Sequence, residues 1–469
     1  MKRVKSEPSS TGSESFALWF GLFLGLCLLK FGNPVILDHK IIPPDSLNDL
    51  WNNFWPTHWA KWFLLPLIAA AIFFIFKNKQ CWPVSHWLWG LPLIWFGWQL
   101  LAGLQSVDKA LTVATIWQFF GCIACYFIGA LMLKSQRSLN YLFLGLSVAF
   151  AICLIQAIKQ RLFEFPESQQ ILLEGQSNGW TNFPPDVFLE MKSNHTVITT
   201  NGMDVANPAI LDKFAKGRVY GTLVYPNALA GMILLLLPAA MVLVFNHTKL
   251  MKFPIRIASI ALVLLLGGMA FFWTGSKLGW LIAIGLAGLW LFRLRWRTRT
   301  KWIVVGIVLL AGLGIFAVRF HNYFKAGATS TTARLDYWRA AMQTTVEYPV
   351  LGSGPGTFQY AYARHKAPES EMTRLTHNDY LEQFSDSGIA GGLVYVSWIV
   401  IALIIIGRQL WKSADLLVFA LFVGVAGWFL QGLGEFSLYI PATAWTAFTF
   451  LGCLLALPVN EFDKKPPVR

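Results

Sequence analysis

Apolar residues gather along this chain in long runs separated by short polar joints, with two places where the polar stretch is long. A helix needs roughly 20 apolar residues to cross a hydrocarbon core. Runs near that length lie at 15–31, 60–76, 87–104, 111–133, 140–158, 222–245, 257–274, 278–292, 302–318, 389–407, 415–434 and 441–458. This pattern predicts an all-α polytopic membrane protein with about twelve transmembrane helices. The expected organisation is helices 1–5 within 1–158, a polar segment 159–221, helices 6–9 within 222–318, a second polar segment 319–388, and helices 10–12 with a tail in 389–469.

Composition agrees. The chain is 55% hydrophobic and 13% charged, with a mean hydropathy of +0.52, outside the soluble globular range. Its 22 Trp and 37 Phe suit interfaces and spans. A net charge of +14 raises the question of nucleic acid, but no recognition motif accompanies it. Cationic loops beside anionic headgroups explain the charge more simply. Membrane lipids are the expected partner and nucleic acid is not.

The cations also give an orientation. With the N-terminus in the cytoplasm, alternate short loops carry Lys77 and Lys79; Lys134 and Arg137; Lys249, Lys252 and Arg256; Arg293, Arg295, Arg297, Arg299 and Lys301; Arg408 and Lys412. The tail adds Lys464, Lys465 and Arg469, whereas 105–110 and 435–440 on the other face hold only Lys109. This positive-inside pattern puts both termini in the cytoplasm and both long polar segments outside. The first run follows Met1-Lys2-Arg3-Val4-Lys5 without a cleavage site and reads as an uncleaved span. The six cysteines (Cys27, Cys81, Cys122, Cys125, Cys153 and Cys453) lie mostly inside apolar runs and read as small core residues, Cys122-Ile-Ala-Cys125 included.

Two features weigh against a transporter. The spans hold almost no ionisable residue, and the two halves share no repeat. Charge collects instead at the outer mouth: Arg218 before the sixth span, Lys277 in Thr274-Gly275-Ser276-Lys277, and the 319–388 segment. The 159–221 segment, rich in Pro, Asn and Gln, is expected to be an irregular loop with short helices.

The chemistry concentrates in 319–388. Leu335, Trp338 and Met342, with Ala341 and Thr345, predict one apolar face of a helix over 332–345, capped by Thr331 or Thr332. Arg334 then falls in the first turn, against the helix dipole, which suggests that it serves an anion. Gly352-Ser353-Gly354-Pro355-Gly356 is neither a Walker loop nor a dinucleotide fingerprint; it predicts a tight reversal whose N–H groups are candidates to face an anion. Thr376-His377-Asn378-Asp379 reads as a second helix start, with Thr376 as cap and Asp379 three residues in. The positive dipole end beside His377 favours a neutral ring able to accept a proton, and the same N-terminus attracts phosphate oxygens.

At these residues the chain resembles the O-antigen ligase superfamily, over roughly 215–435. His377-Asn378 followed by nine residues and Gly388 is similar to that family's signature. So is Arg334 to Trp338 leading to Pro349 and Gly352-Ser353-Gly354-Pro355-Gly356-Thr357-Phe358. Arg218-Val219-Tyr220-Gly221-Thr222 with Pro226-Asn227 is the third likeness. One position departs: Ser276-Lys277 stands where the family usually has Ser-Arg, which keeps the charge and loses the planar fork.

The resemblance implies a GT-C-like helical bundle with a helical extracytoplasmic cap in a bacterial inner membrane, its active site on the periplasmic face. It implies a glycan donor on a polyprenyl diphosphate such as undecaprenyl diphosphate, and a glycan, lipid or protein acceptor. Arg218, Lys277 and Arg334 would stabilise the departing diphosphate, and His377 would be the general base. Asn378, Asp379, Asn227, Gly354 and Gly356 would support the site, and Trp338, Tyr360 and Tyr362 are candidates to line the glycan path. No cofactor or metal is implied. A ligase, a polymerase of the same fold and a non-catalytic transporter are the competing readings, in that order.

Overall fold

A computed structural model describes residues 11–77, 86–294, 296–325, 329–368, 370–411 and 415–457. Lys2, Arg3, Lys5, Lys79, Cys81, Arg295, Lys412, Lys464, Lys465 and Arg469, used above for orientation or cysteine chemistry, lie outside the described residues. The order of helices is α1 (Thr11–Lys30), α2 (Leu47–Asn52), α3 (Ala60–Lys77), α4 (His86–Leu104), α5 (Lys109–Met132) and α6 (Gln136–Lys159). A π-helical turn carries α6 into α7 (Phe165–Ser177), and α8 (Pro185–Ser193) follows. An antiparallel hairpin, β1 (Val197–Thr200) with β2 (Met203–Ala206), and α9 (Pro208–Lys216) complete that segment. Then come α10 (Pro226–His247), α11 (Phe253–Thr274), α12 (Lys277–Arg293), α13 (Thr298–Lys325), α14 (Thr329–Glu347), α15 (Phe358–His365), α16 (Asp379–Leu410), α17 (Leu416–Gln431) and α18 (Pro441–Ala456).

The chain is an all-α multi-pass membrane protein. Among the described residues, eight helices are long and apolar enough to cross a membrane, and α17 and α18 are shorter apolar helices. The 159–221 segment is more ordered than its composition suggests. Leu172, Trp180, Val197 and Ala206 form a small core of their own there.

Helix contact inside the bundle depends on missing side chains. A Cβ on Gly452 of α18 would stand 2.0 Å from the Tyr126 carbonyl oxygen, and one on Gly129 of α5 would stand 2.1 Å from that of Thr449. Backbones this close gain dispersion contact where apolar lipid supplies no hydrophobic drive between helices. By contrast α11 and α13 leave most of their apolar surface uncovered, including Leu262, Leu264, Ile307, Leu310 and Val318, as lipid-facing helices do.

α16 is two helices in one. Asp379 to Ser387 forms a first, more polar part, Gly388 breaks the helical geometry with φ +71°, and the apolar remainder begins at Ile389. A left-handed φ favours glycine, and a Cβ here would lie 2.4 Å from the Val350 carbonyl oxygen. Gly352, at φ +66°, is the reciprocal contact, its Cβ position 2.4–2.5 Å from Ser385 and Asp386 backbone atoms. The Gly-rich turn and the kink therefore interlock.

Candidate active site

The segment that places His377 is built from short-range bonds. Asn378 is the cap of α16, its Oδ1 accepting from the N–H groups of Tyr380 and Leu381. Thr376, expected as the cap, instead turns the chain: its Oγ1 accepts from Asn378 N and its own N–H donates to Glu382 Oε2 at 2.6 Å. His377 is left just outside the cap with φ +52°, a left-handed conformation that non-glycine residues seldom adopt. Tyr337 of α14 stacks on its ring at 5.9 Å, and Phe436 meets it edge-on at 4.8 Å.

The centre of the site is Glu435, in the loop after α17. Its Oε1 accepts from Arg334 at 2.6 Å and from Asn227 Nδ2 at 2.7 Å. Its Oε2 lies 3.6 Å from His377 Nδ1. Asn227 Oδ1 in turn accepts from Arg218, whose Nε also donates to the Thr274 carbonyl at 2.7 Å. Four sequence-predicted residues (Arg218, Asn227, Arg334 and His377) thus meet around a carboxylate that sequence reasoning did not select. Burial pushes the Arg218 guanidinium down from its ordinary value; Glu435 opposes that shift and the charge of Arg334 adds to it.

Lys277 stands at the rim. Its ammonium lies 3.7 Å from the Tyr323 ring centroid and 5.6 Å from that of Phe320. Among the described residues no carboxylate is within ion-pair reach of it. Ser276 caps α12 and Gly275 ends α11 beside Arg218, so the reversal between these helices brings Lys277 and Arg218 to one mouth.

Several expectations are corrected. α14 begins by Thr329, so Thr331 and Thr332 lie inside it and Arg334 is beyond its first turn. Its packed face carries Tyr337, Ala340, Ala341 and Thr344, while Leu335 and Met342 are exposed. The N–H groups of the Gly-rich turn do not point at an open anion site. Ser353 and Gly354 donate to the Ser385 and Asp386 carbonyls, and Gly356 donates to the Asp386 carboxylate at 2.7 Å. Tyr362 is buried in a small core with Tyr337 and Phe358, Tyr360 is tied to Asp108, and Tyr337 and Phe436 are the aromatics beside His377. Asp379 is fully buried; its carboxylate accepts from Leu438 N, and its own N–H donates to the carbonyls of Gly432 and Glu435. It secures the loop that carries Glu435.

Below this mouth, α10, α11, α12 and α17 line an open apolar pocket of about 650 Å³, bordered among others by Leu234, Pro238, Phe245, Leu264, Leu286 and Val423. Its upper lining residue on α10, Ile233, is six positions past Asn227, about 9 Å along the helix.

Residues 260–396 match the family model described as O-Antigen ligase. Over that stretch the chain is similar to O-antigen ligases. Lys277, Arg334 and His377 fall inside the matched stretch, while Arg218, Asn227 and Glu435 fall outside it. No curated protein matches the chain. The signal available for Glu435 was its isolation: no other Asp, Glu, Lys, Arg or His occurs between Leu416 and Leu457.

Proposed function

We propose that this O-antigen ligase-family protein transfers a glycan from a polyprenyl diphosphate to an acceptor hydroxyl at the extracytoplasmic face of a bacterial inner membrane. The observation that carries the reading is the single carboxylate of Glu435 joining Arg334, His377 and, through Asn227, Arg218. Attack of the hydroxyl oxygen on the anomeric carbon breaks the bond to the diphosphate oxygen, and negative charge grows on the leaving diphosphate. Arg218, Arg334 and Lys277 are three fixed cations set against one carboxylate, an excess that a departing diphosphate would neutralise. His377 Nδ1 lies 3.6 Å from Glu435 Oε2, and a proton held on Nδ1 by that carboxylate would leave Nε2 to take the acceptor proton. The apolar pocket under the mouth suits the isoprenoid tail, with the diphosphate at headgroup depth.

Surface-glycan analysis of His377→Ala and Arg334→Ala tests this. Loss of acceptor-bound glycan with both proteins still present in the membrane is expected, and wild-type glycan in both overturns catalysis. Long lipid-linked chains persisting without transfer identify a ligase, whereas accumulation of single repeat units identifies a polymerase.

A further inference from the structure

The packed face of α14 carries its part of the site, which leaves the other face to be explained. Leu335, Met342 and Val346 are 55%, 61% and 79% exposed, and half-buried Trp338 lies between them. Their spacing of three, four and four puts all four on one stripe of the helix. A groove of about 630 Å³ runs along that stripe, with Arg339, Glu347 and His365 also in its lining. An apolar stripe of this length without a partner marks a contact surface.

Both ends of α14 are tied to the ends of apolar helices. The Tyr323 hydroxyl, two residues from the end of α13, bonds Ser330 Oγ at 2.7 Å and Thr331 Oγ1 at 2.9 Å. Beyond the other end, Ile389 N, where α16 resumes after its kink, donates to the Pro349 carbonyl at 2.8 Å. Nineteen helical residues, about 28 Å, therefore bridge from the end of one membrane-crossing helix to the start of another. The apolar surface is also continuous: Val350, Ile389 and Leu393 are exposed and lead from the stripe onto the apolar flank of α16.

We propose that α14 is an interfacial helix that lies along the membrane, its stripe of Leu335, Trp338, Met342 and Val346 seated among the acyl chains of the adjoining leaflet. The opposite face of α14 packs against the protein, so the exposed apolar stripe is the side that can seat at that depth. The contact holds Arg334, next to Leu335, at the level of lipid phosphates while Tyr337 faces His377. The inference depends on the membrane-crossing helices and not on the proposed transfer reaction, so either can fail alone.

The test uses the full-length protein in lipid nanodiscs, with a fluorophore on Leu335→Cys, Met342→Cys or Val346→Cys. Asp186→Cys on exposed α8 is the aqueous reference, and the unsubstituted protein provides the labelling background. Lipids bearing a nitroxide near the top of the acyl chain should quench the three stripe labels several-fold more than the reference, and iodide should quench them less. Iodide quenching equal to the reference at Met342→Cys and Val346→Cys would leave the stripe in water and overturn the proposal. Protection from both quenchers would also overturn it, because protein, from a second copy or another partner, would then cover the stripe.

Discussion

Two groups of carboxylates sit around the start of α16, and they are satisfied in opposite ways. Glu435 faces the mouth, where its partners are a guanidinium 21% exposed, an imidazole 27% exposed and a half-buried amide. Asp379, Glu382 and Asp386 lie behind it, fully buried, and their partners are backbone N–H groups and the Tyr439 hydroxyl. The first group sets charge against charge. The second holds chain segments in place: Glu382 grips Thr376 beside His377, Asp386 grips the Gly-rich turn, and Asp379 grips the loop that bears Glu435. Acidic residues close together can therefore differ in purpose, and the nature of their donors distinguishes them.

Substitutions can break or sharpen that contrast. His377→Ala should lower glycan transfer by about 10²–10⁴-fold, the usual worth of a positioned base, with the amount of membrane-inserted protein unchanged. Arg334→Ala should cost about 10²–10³-fold, as loss of one donor to developing negative charge does, read in the same transfer assay. Glu435→Gln keeps the shape and removes the charge. Loss of charge-assisted bonds worth about 1.5–3 kcal/mol predicts a ten- to hundredfold fall in transfer. An unchanged rate would remove Glu435 from the site's chemistry.

The second group and the kink beside it should respond in stability instead. Gly388→Val forces a side chain into a left-handed conformation against the Val350 carbonyl. A loss of about 1–3 kcal/mol is expected, seen as a lower Tm in detergent, with transfer per folded molecule little altered. Asp386→Asn should cost about 1 kcal/mol by the same measurement, because an amide oxygen can still accept from Gly356. A large catalytic defect in Asp386→Asn with an unchanged Tm would erase the distinction between the two groups.

Much of the architecture was readable from the chain. Apolar runs coincide with the long helices, and the His377-Asn378 and Arg334 motifs do converge. The packed face of α14 was misread at Tyr337 and Ala340, which Leu335, Trp338 and Met342 outweigh in bulk, whereas Ala341 is buried as expected. The Gly-rich turn looked like an anion cradle because positive-φ glycines are common to both uses. Its acceptors proved to be the side chain of Asp386 of the same chain, together with backbone carbonyls.

The sequence by itself determined that this is a helical membrane protein with its cations beside polar segments, because run length and charge placement are local properties. Only the tertiary structure decided which residues share a carboxylate. Arg334 and Asn227 reach Glu435 across 101 and 208 positions. Helix packing sets such distances, and no local pattern of side chains encodes them.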